Sequence, residues 1–334
     1  MPRRAVVLIS GGLDSLLAAR LIQELGIEVI PVYFRIPFCH SVKRESSCPV
    51  SSLVGVNLGL ELRIEDISGE FLELVQNPAH GFGSNMNPCI DCKILMLKKV
   101  KGLLGQWGAD FAVTGEVLGQ RPMSQHRKAL EAIEKKSGLE GLVLRPLSAK
   151  LLDPTIPEQA GWVNRQKLLD FSGRTRRPQI DLADKFGLKG YPNAAGGCLL
   201  TDPIFSLRLK DLIAHRELTL ENIALLKAGR YFRLNDAAKL VVGRNAGENA
   251  LIERLALAGD HLFSPREDVA GPTALGRGKF DEALVELSCR IVLRYCDLNE
   301  GSRADIMYKQ LPSSRARAVR VAPAEEDFLK KMRV

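Results

Sequence analysis

The hydrophobic pattern of the first 115 residues alternates between short strands and helices. Residues 5–10, AVVLIS, form a continuous apolar run typical of a strand buried on both faces, and apolar side chains then recur at helical spacing up to Gly26. Residues 28–34, 61–67 and 110–115 predict further strands, with a helix over residues 94–104. This succession predicts an α/β fold with a doubly wound, mostly parallel sheet.

The pattern changes in the middle of the chain. Residues 145–205 contain many Pro and Gly residues, which is typical of the end of a domain followed by a connecting segment. Residues 219–227 and 280–295 then predict helices around short alternating runs, which are typical of an α+β domain. We predict two domains, residues 1–205 and 206–334, and interpret the basic end of the second as a solvated tail, with contact to RNA as the alternative.

Composition and charge narrow the function classes. Of the 334 residues 46% are hydrophobic and 26% charged, which excludes a mainly disordered chain. The 47 Lys and Arg exceed the 39 Asp and Glu, and the net charge of +8 favours a polyanionic partner such as nucleic acid. No apolar run has the length of a membrane span and the amino terminus lacks a signal-peptide core, so we expect a cytoplasmic protein with no membrane partner.

A candidate phosphate loop follows the first predicted strand and precedes the first predicted helix. It is SGGLDS, residues 10–15. Gly11 and Gly12 allow backbone amides to approach an anion, and the helix N-terminus attracts phosphate. Asp14 suits a Mg²⁺ ion bound with the phosphates, and the hydroxyls of Ser10 and Ser15 can cap the helix or contact phosphate. Because no Lys follows the glycines, the loop is not a Walker A motif.

Three of the seven cysteines have a spacing that suits metal or sulfur chemistry. Cys89 and Cys92 form a CxxC pair, and Cys198 ends a glycine-rich segment. Three thiolates leave a zinc site one ligand short, whereas they leave one iron of a [4Fe–4S] cluster open. Alternatively, one cysteine carries a persulfide and a second resolves it. We interpret Cys39 and Cys48 as ordinary loop thiols.

These motifs resemble those of a known enzyme superfamily. SGGLDS after a strand resembles the pyrophosphate loop (PP-loop) of the N-type ATP pyrophosphatases, which have an adenine nucleotide alpha hydrolase-like fold and cleave ATP to AMP and pyrophosphate. TGEVLGQRPMSQ at residues 114–125 and LRPL at 144–147 resemble tRNA 4-thiouridine synthetases. NPCIDCK at residues 87–93 resembles the cysteine segment of tRNA thiolases generally. The resemblance implies that Gly115 and Gln120 border ATP and that Arg145 is a candidate contact to phosphate or RNA. The alternative is that these three are turn and packing residues.

The resemblance implies a tRNA sulfurtransferase. A uridine carbonyl oxygen is adenylated through Asp14 and the loop, and sulfur then replaces it to give 4-thiouridine or 2-thiouridine. Cys89, Cys92 and Cys198 would hold a [4Fe–4S] cluster that delivers sulfide, or Cys92 would carry a persulfide that Cys198 resolves. ATP, Mg²⁺, tRNA and a sulfur donor, either sulfide or a cysteine desulfurase, are the implied ligands and partners. A homodimer is one open arrangement.

The second domain also carries a resemblance. Residues 237–252 and 259–275 resemble the NFACT-type RNA-binding domain. Structured RNA is recognised mostly through its backbone and shape, so basic side chains are the candidate contacts. They are Arg230, Arg233, Lys239, Arg244 and Arg266.

Two other functions stay open on the sequence. One is a different N-type ATP pyrophosphatase, such as a tRNA lysidine synthetase, which needs no cysteine triad. The other is a non-catalytic RNA-binding adaptor, although the intact SGGLDS segment argues against an idle nucleotide domain.

Overall fold

The chain divides into two compact units. The computed structural model describes residues 2–39, 49–192, 198–299 and 301–334. The first unit is Met1–Cys198 and the second is Leu199–Val334. The predicted boundary after residue 205 falls within a helix, Pro203–Ala214, that belongs entirely to the second unit.

The first unit is built on a five-stranded parallel sheet. Its strands are paired in the order β3-β2-β1-β4-β5, and each pair is parallel. They span β1 Arg4–Leu8, β2 Glu28–Arg35, β3 Arg63–Asp66, β4 Phe111–Thr114 and β5 Val143–Leu144. The predicted doubly wound sheet is therefore confirmed.

Helices cover both faces of this sheet. Along β1, Val7 packs into a core with α1, α2 and α7, whereas Val6 packs into a second core with α4 and α5. Both faces are buried, which explains why the strand is uniformly apolar. The helices are α1 Leu13–Glu24, α2 Pro49–Leu58, α3 Ser68–Gln76, α4 Cys89–Trp107, α5 Arg127–Ser137, α6 Ile156–Gln159 and α7 Arg177–Phe186. Two 3₁₀ turns, Ala149–Leu151 and Arg165–Lys167, complete the unit.

The strand order places a switch point between β1 and β4. The chain proceeds from β1 outward through β2 to β3 on one side, and β4 and β5 lie on the other side. In open parallel sheets, ligands bind at the carboxyl ends of the strands where the order reverses. The segments that follow β1 and β4 begin at Ile9 and Gly115. The topology therefore directs the SGGLDS loop and Gly115 to one crevice.

The second unit contains a six-stranded antiparallel sheet. Its order is β11-β10-β8-β9-β7-β6. The strands span β6 Arg230–Asn235, β7 Ala238–Val242, β8 His261–Pro265, β9 Ala274–Gly278, β10 Ala304–Gln310 and β11 Arg317–Val321. The helices span α8 Pro203–Ala214, α9 Leu220–Leu226, α10 Ala246–Arg254, α11 Glu282–Leu293 and α12 Glu326–Met332, with a 3₁₀ turn at Leu199–Thr201. The predicted α+β architecture is confirmed.

Helix α11 forms the core of this unit with one face of the sheet. Asp281 starts the helix because its Oδ1 accepts from the Leu284 amide at 2.8 Å. Val285 and Cys289 then pack against strand residues such as Phe263.

Two sequence-based interpretations of this unit change. Helix α11 ends at Leu293, so it is shorter than the predicted helix, which extended to residue 295, and Cys296 lies outside it. The basic end of the chain is not a solvated tail, because it forms β11 and α12. No helix in the described part of the chain is long and apolar enough to cross a bilayer.

Candidate active site at the switch point of the parallel sheet

Hydrogen bonds of its own serine side chains fix the conformation of the SGGLDS loop. Ser15 Oγ donates to the Gly12 carbonyl at 2.8 Å and accepts from the Ser10 amide at 3.2 Å. Gly11 has φ of +81°, and a Cβ there would lie 3.0 Å from Val50, so glycine is required. Gly12 is the N-cap of α1 and provides no side-chain acceptor for the first-turn amides. Those amides and the helix dipole are thus available to an anion.

Asp14 projects from the first turn of α1 with one oxygen engaged and one without a partner. Gln120 Nε2 donates to Asp14 Oδ2 at 3.0 Å. Asp14 Oδ1 is buried and has no hydrogen-bond partner among the described residues. Burial raises the pKa of Asp14, although the bond from Gln120 opposes this. An unpartnered buried carboxylate oxygen suits a cation, so Asp14 fits the Mg²⁺ that accompanies bound nucleotide phosphates.

Gly115 lets the segment after β4 touch the loop after β1. A Cβ on Gly115 would lie 2.5 Å from the Asp14 carbonyl carbon and from the Ser15 nitrogen. Atoms of real side chains do not approach so closely, so only glycine allows this backbone contact. Gly115 and Gln120, the two residues predicted to border ATP, therefore both contact Asp14 or its peptide unit.

Two arginines that sequence reasoning missed also act on Asp14. The positive charges of Arg176 and Arg121 lower the pKa of Asp14, against the larger effect of burial. Arg121 is exposed and Arg176 is half-buried. Neither forms an ion pair within the described ranges. Arg121 could have been found from its place directly after Gln120, whereas Arg176 is brought in by the fold.

The CxxC pair lies at the start of α4. Cys89 is the first residue of the helix, and the Cys92 amide donates to the Pro88 carbonyl at 2.8 Å. A helix that precedes a parallel strand starts at the carboxyl edge of the sheet, which is also the edge of the phosphate loop. Buried Asp91 fixes this turn, because its Oδ1 lies 2.7 Å from His80 Nδ1 and its Oδ2 accepts from the His80 amide.

Three thiols lie near that of Cys92. Burial raises the pKa of Cys92 to about 12, Lys93 lowers it, and the nearby thiols of Cys198, Cys89 and Cys39 raise it further. Cys198 Sγ lies 3.7 Å from the carbonyl oxygen of Phe38, which precedes Cys39. The three predicted cysteines are therefore neighbours.

Cys39, which we interpreted as an ordinary loop thiol, lies near Cys92 in the structure. It follows β2 at the same sheet edge, and Tyr33 Oη lies 3.3 Å from its Sγ. No sequence spacing indicated this proximity. Cys48 and the glycine-rich residues 193–197 lie outside the described residues.

The thiols match a soft-metal or iron–sulfur site in donor chemistry. Among the described residues, no three His, Cys, Asp or Glu side chains are arranged as a ready metal-ligand set. The residue types thus fit a cluster, whereas a coordination geometry is not preformed in that part of the chain.

A buried charge chain joins the cysteine helix to the segment after β4. Lys93 Nζ lies 3.6 Å from Glu116 Oε1, and Glu116 is 2% exposed. Glu116 Oε2 also accepts from Thr114 Oγ1 at 3.0 Å and from Arg145 Nε at 3.1 Å. These cations lower the pKa of Glu116 despite its burial. Neither Lys93 nor Glu116 was singled out from the sequence.

The placement of Arg145 corrects the expectation of a phosphate or RNA contact. Its side chain is 3% exposed and is bound by the carboxylates of Glu116 and Glu134. A guanidinium between two carboxylates in the interior is a structural ion pair.

The five predicted RNA contacts of the second unit divide into two groups. Arg233 Nη2 lies 2.5 Å from Asp211 Oδ2, and Lys239 Nζ lies 2.7 Å from Glu217 Oε2, with Lys239 2% exposed. These two are internal ion pairs, which corrects the expectation that they contact phosphate. The other three retain exposed surface.

Those three have different partners within the second unit. Arg230 stacks 4.3 Å from the ring centroid of Tyr295 and is half-buried. Arg244 is exposed and pairs with Glu248. Arg266 is exposed and pairs with Asp268 and Asp305.

The first unit thus places a candidate phosphate loop and a thiol cluster at the same edge of a parallel α/β sheet. Comparisons with known proteins agree with the family resemblance. Residues 2–151 match the family model described as thiamine biosynthesis protein (ThiI). Residues 229–333 match the model described as NFACT protein RNA binding domain. The resemblance to PP-loop tRNA thiolases with a carboxyl-terminal NFACT-type domain is confirmed.

Curated relatives show the same resemblance over parts of the chain. A tRNA-specific 2-thiouridylase MnmA of a Nitratiruptor species is 30% identical over 119 residues, covering 34% of this chain and 35% of the relative. A probable tRNA sulfurtransferase of Thermococcus kodakarensis is 28% identical over 145 residues, covering 43% and 36%. The chain spans about a third of the length of such relatives.

Two solved structures are similar at low scores. A 4-thiouridine synthetase–RNA complex with bound ATP has 19% identity and a TM-score of 0.40, covering 67% of this chain and 52% of that chain. The U34-tRNA thiolase NcsA from Methanococcus maripaludis with its [4Fe–4S] cluster has 16% identity and a TM-score of 0.31, covering 67% and 70%.

Proposed function

We propose that this chain is an ATP-dependent tRNA thiolase that adenylates a uridine carbonyl oxygen and replaces it with sulfur. One observation carries the proposal. The phosphate loop and the thiol cluster lie at the same edge of the sheet, and two adjacent residues link them: Gly115 packs on Asp14, and Glu116 faces Lys93 beside Cys92. A nucleotide site alone would not need this connection.

The first step is adenylation at the phosphate loop. The amides of the loop and of the first turn of α1 bind the phosphates of ATP, and the exposed Arg121 and half-buried Arg176 add positive charge. The uridine oxygen attacks the α-phosphorus and pyrophosphate leaves. The charge that develops on the pyrophosphate faces fixed donors, which is electrostatic stabilisation of the transition state. Mg²⁺ bound by Asp14 would supply additional neutralisation of phosphate charge.

The second step brings sulfur to the adenylated carbon. Cys89, Cys92 and Cys198 are the residues that would hold a [4Fe–4S] cluster, which when bound supplies an open iron for sulfide. The high pKa of Cys92 keeps the unligated thiol protonated at neutral pH, so a ligand role requires that the proton leave. Departure of AMP from the base completes the exchange of oxygen for sulfur.

A persulfide on Cys92, received as sulfane sulfur from the persulfide of a cysteine desulfurase, is the second candidate route, and the proximity of Cys198 to Cys92 favours it. The terminal sulfur attacks the activated carbon and AMP leaves. The Cys198 thiolate then attacks Cys92 Sγ, so that the base keeps the sulfur and a Cys92–Cys198 disulfide forms. A thiol reductant must restore the two thiols before the next turnover.

The two predicted domains divide these tasks. We assign adenylation and sulfur transfer to residues 1–205 and RNA binding to residues 206–334. The match of residues 229–333 to an RNA-binding domain supports the second assignment. A domain that holds folded RNA leaves the nucleotide site free to take the target uridine.

The direct test is the formation of thiouridine. The full chain, purified without oxygen, is incubated with ATP, Mg²⁺ and an unmodified tRNA transcript, and either sulfide or a cysteine desulfurase with cysteine and a thiol reductant supplies the sulfur. The nucleosides are then separated and identified by mass spectrometry. We expect 4-thiouridine or 2-thiouridine, together with AMP and pyrophosphate. Cys92→Ala should abolish the thionucleoside, whereas Cys296→Ala, a matched thiol of the second unit, should not. ATP cleavage that modifies an amine substrate and yields no thionucleoside would refute the proposal.

Iron and acid-labile sulfide assays separate the two sulfur routes. About four irons per chain, lost in Cys89→Ala, Cys92→Ala and Cys198→Ala, support the cluster. A colourless, iron-free chain that is active with the cysteine desulfurase, and whose activity requires Cys92 and Cys198 but not Cys89, supports the persulfide.

A further inference from the structure

A hairpin at the edge of the second sheet concentrates positive charge. Strands β10 and β11 pair antiparallel, and β11 is the edge strand. Residues 306–324, which include most of this hairpin and the segment after it, contain four Lys or Arg and no Asp or Glu. The interpretation of this region as a tail concealed that the fold arranges these cations on a surface.

The hairpin has a core face and an open face. Ile306 and Val321 pack into the core with α11. The strand registers place Met307 beside Ala318 and Ser264, and Lys309 beside Leu262, on the opposite face. Side chains of that face remain partly or fully exposed. The open face consists of Leu262, Ser264, Asp305, Met307, Lys309, Ala318 and Arg320.

Asp305 holds two arginines at one end of the open face. Its carboxylate lies 3.6 Å from Arg320 and 3.7 Å from Arg266, and these arginines are 68% and 57% exposed. Arg320 is on β11 and Arg266 directly follows β8, so two strand spacings of roughly 10 Å in total separate their backbones.

Two more cations extend this array. Lys309 is four residues from Asp305 along β10, roughly 13 Å. Arg315 lies in the exposed turn between β10 and β11. Neither has an ion-pair partner in the part of the chain that the structure describes.

We propose that the open face, with Arg266 and Arg315 at its rim, binds the sugar–phosphate backbone of folded RNA. Rows of guanidinium and ammonium groups at these separations can engage several phosphates of one strand, and arginine forms two-pronged hydrogen bonds with phosphate. The inference rests on the proposed function for the identity of the RNA as tRNA. The open face thus takes the place of Arg233 and Lys239, which are paired internally, as the proposed contact with RNA phosphates.

The chemistry of the face disfavours other occupants. Protein interfaces are depleted of Lys and of charged residues at their centre, whereas this face carries Asp305, Lys309 and Arg320 beside its apolar members Leu262, Met307 and Ala318. Pairing with the β11 edge of a second copy would bring Arg315, Arg317 and Arg320 of both copies together, and edge charges of this kind oppose such pairing.

The test removes three charges from the array. The variant Lys309→Gln/Arg315→Gln/Arg320→Gln is compared with Lys210→Gln/Arg254→Gln/Lys331→Gln, which removes three exposed cations elsewhere in the second unit. Binding of the full chain to a fluorescent unmodified tRNA transcript is measured without ATP over a range of KCl concentrations. Unfolding temperatures verify that both variants fold.

We expect the first variant, and not the control, to have a shallower salt dependence. Loss of three phosphate contacts reduces the slope of log K against log salt by about 2 to 3, which weakens binding roughly 100-fold or more at 0.1 M salt. Arg315→Gln alone should reduce the slope by about 0.8. Arg315 lies in an exposed turn, so we expect this substitution not to impair folding. Equal slopes for the two triple variants would overturn the proposal.

Two further outcomes are informative. A triple variant that loses binding to anionic phospholipid vesicles but keeps the tRNA slope would also overturn the proposal, in favour of a membrane partner. If the unaltered chain makes no thiouridine while the triple variant still loses tRNA affinity, the proposed reaction fails and the RNA surface stands.

Discussion

Gly115→Ala tests whether the backbone contact between the two loops of the switch point is required for ATP chemistry. The added Cβ would lie 2.5 Å from the Asp14 carbonyl carbon and the Ser15 nitrogen, about 1 Å closer than such atoms pack. Both sides are backbone, so no flexible side chain can move away. The loop after β1 and the segment after β4 must therefore separate by about 1 Å.

The separation has two expected costs. Overpacking of this kind destabilises a protein by about 1–3 kcal/mol. A displacement of about 1 Å at a reacting group lowers rates by about 100-fold. Asp14 and the first-turn amides lie on one of the displaced segments, so we expect pyrophosphate release to fall about 100-fold, with a smaller loss of stability.

Gly102→Ala is the matched control. Gly102 lies within α4, is exposed, and a Cβ there would meet nothing within 4 Å. The substitution should stabilise the helix by about 1 kcal/mol and leave catalysis unchanged. Urea unfolding and a coupled pyrophosphate assay give both quantities. A Gly115→Ala protein that is folded and releases pyrophosphate at the rate of the unaltered chain would refute the role of this contact.

Three further predictions concern charged groups of the first unit. Asp14→Asn should abolish pyrophosphate release yet raise the free energy of unfolding at neutral pH, because a carboxyl whose pKa is raised by folding destabilises the protein once it ionises. In urea unfolding measured against pH, this gain in stability should shrink as the pH falls through the raised pKa. A variant less stable than the unaltered chain would contradict the prediction. Arg176→Gln should weaken binding of a non-hydrolysable ATP analogue roughly 10- to 100-fold, as measured by calorimetry. Arg177→Gln is the control and should change the affinity little, because the Arg177 guanidinium already pairs with Asp181 at 3.0 Å. Equal affinities of the two variants would exclude Arg176 from the phosphate site. Arg145→Met should lower the free energy of unfolding in urea by about 3–5 kcal/mol, because it leaves Glu116 buried with Lys93 as its remaining cation. The double variant Glu116→Gln/Arg145→Met should recover part of that loss. If the losses of the two single variants simply add in the double variant, the two residues do not stabilise the protein as a pair.

The parallel sheet could be predicted because its signal is local. β1 is apolar at every position since alternate residues enter two different cores, and the SGGLDS turn follows directly. β10 and β11 lack such a signal. Only Ile306 and Val321 of the hairpin reach the core fully buried, and arginines interrupt β11, so the segment was interpreted as a solvated tail.

The partners of charged residues could not be predicted, because they come from distant parts of the chain. Arg145 was assigned to phosphate or RNA, but its carboxylate Glu116 lies 29 residues earlier on the segment after β4. Lys239 meets Glu217, which is 22 residues away. A sequence gives the sign of a charge and not its partner. Cys39 shows the same limit, since only the fold brings the end of β2 to Cys198.

In the proposed reaction, Glu116 would allow one sheet edge to serve both steps. It follows Gly115, whose position is set by contact with the Asp14 peptide, and its carboxylate is fixed by Thr114 and Arg145. Lys93, one residue after Cys92, faces the same carboxylate. Because a buried carboxylate needs its cations, a shift of the nucleotide loop is opposed by the same ion pairs that hold the start of α4. Adenylation and sulfur transfer would then act on one base without repositioning it between two separate sites.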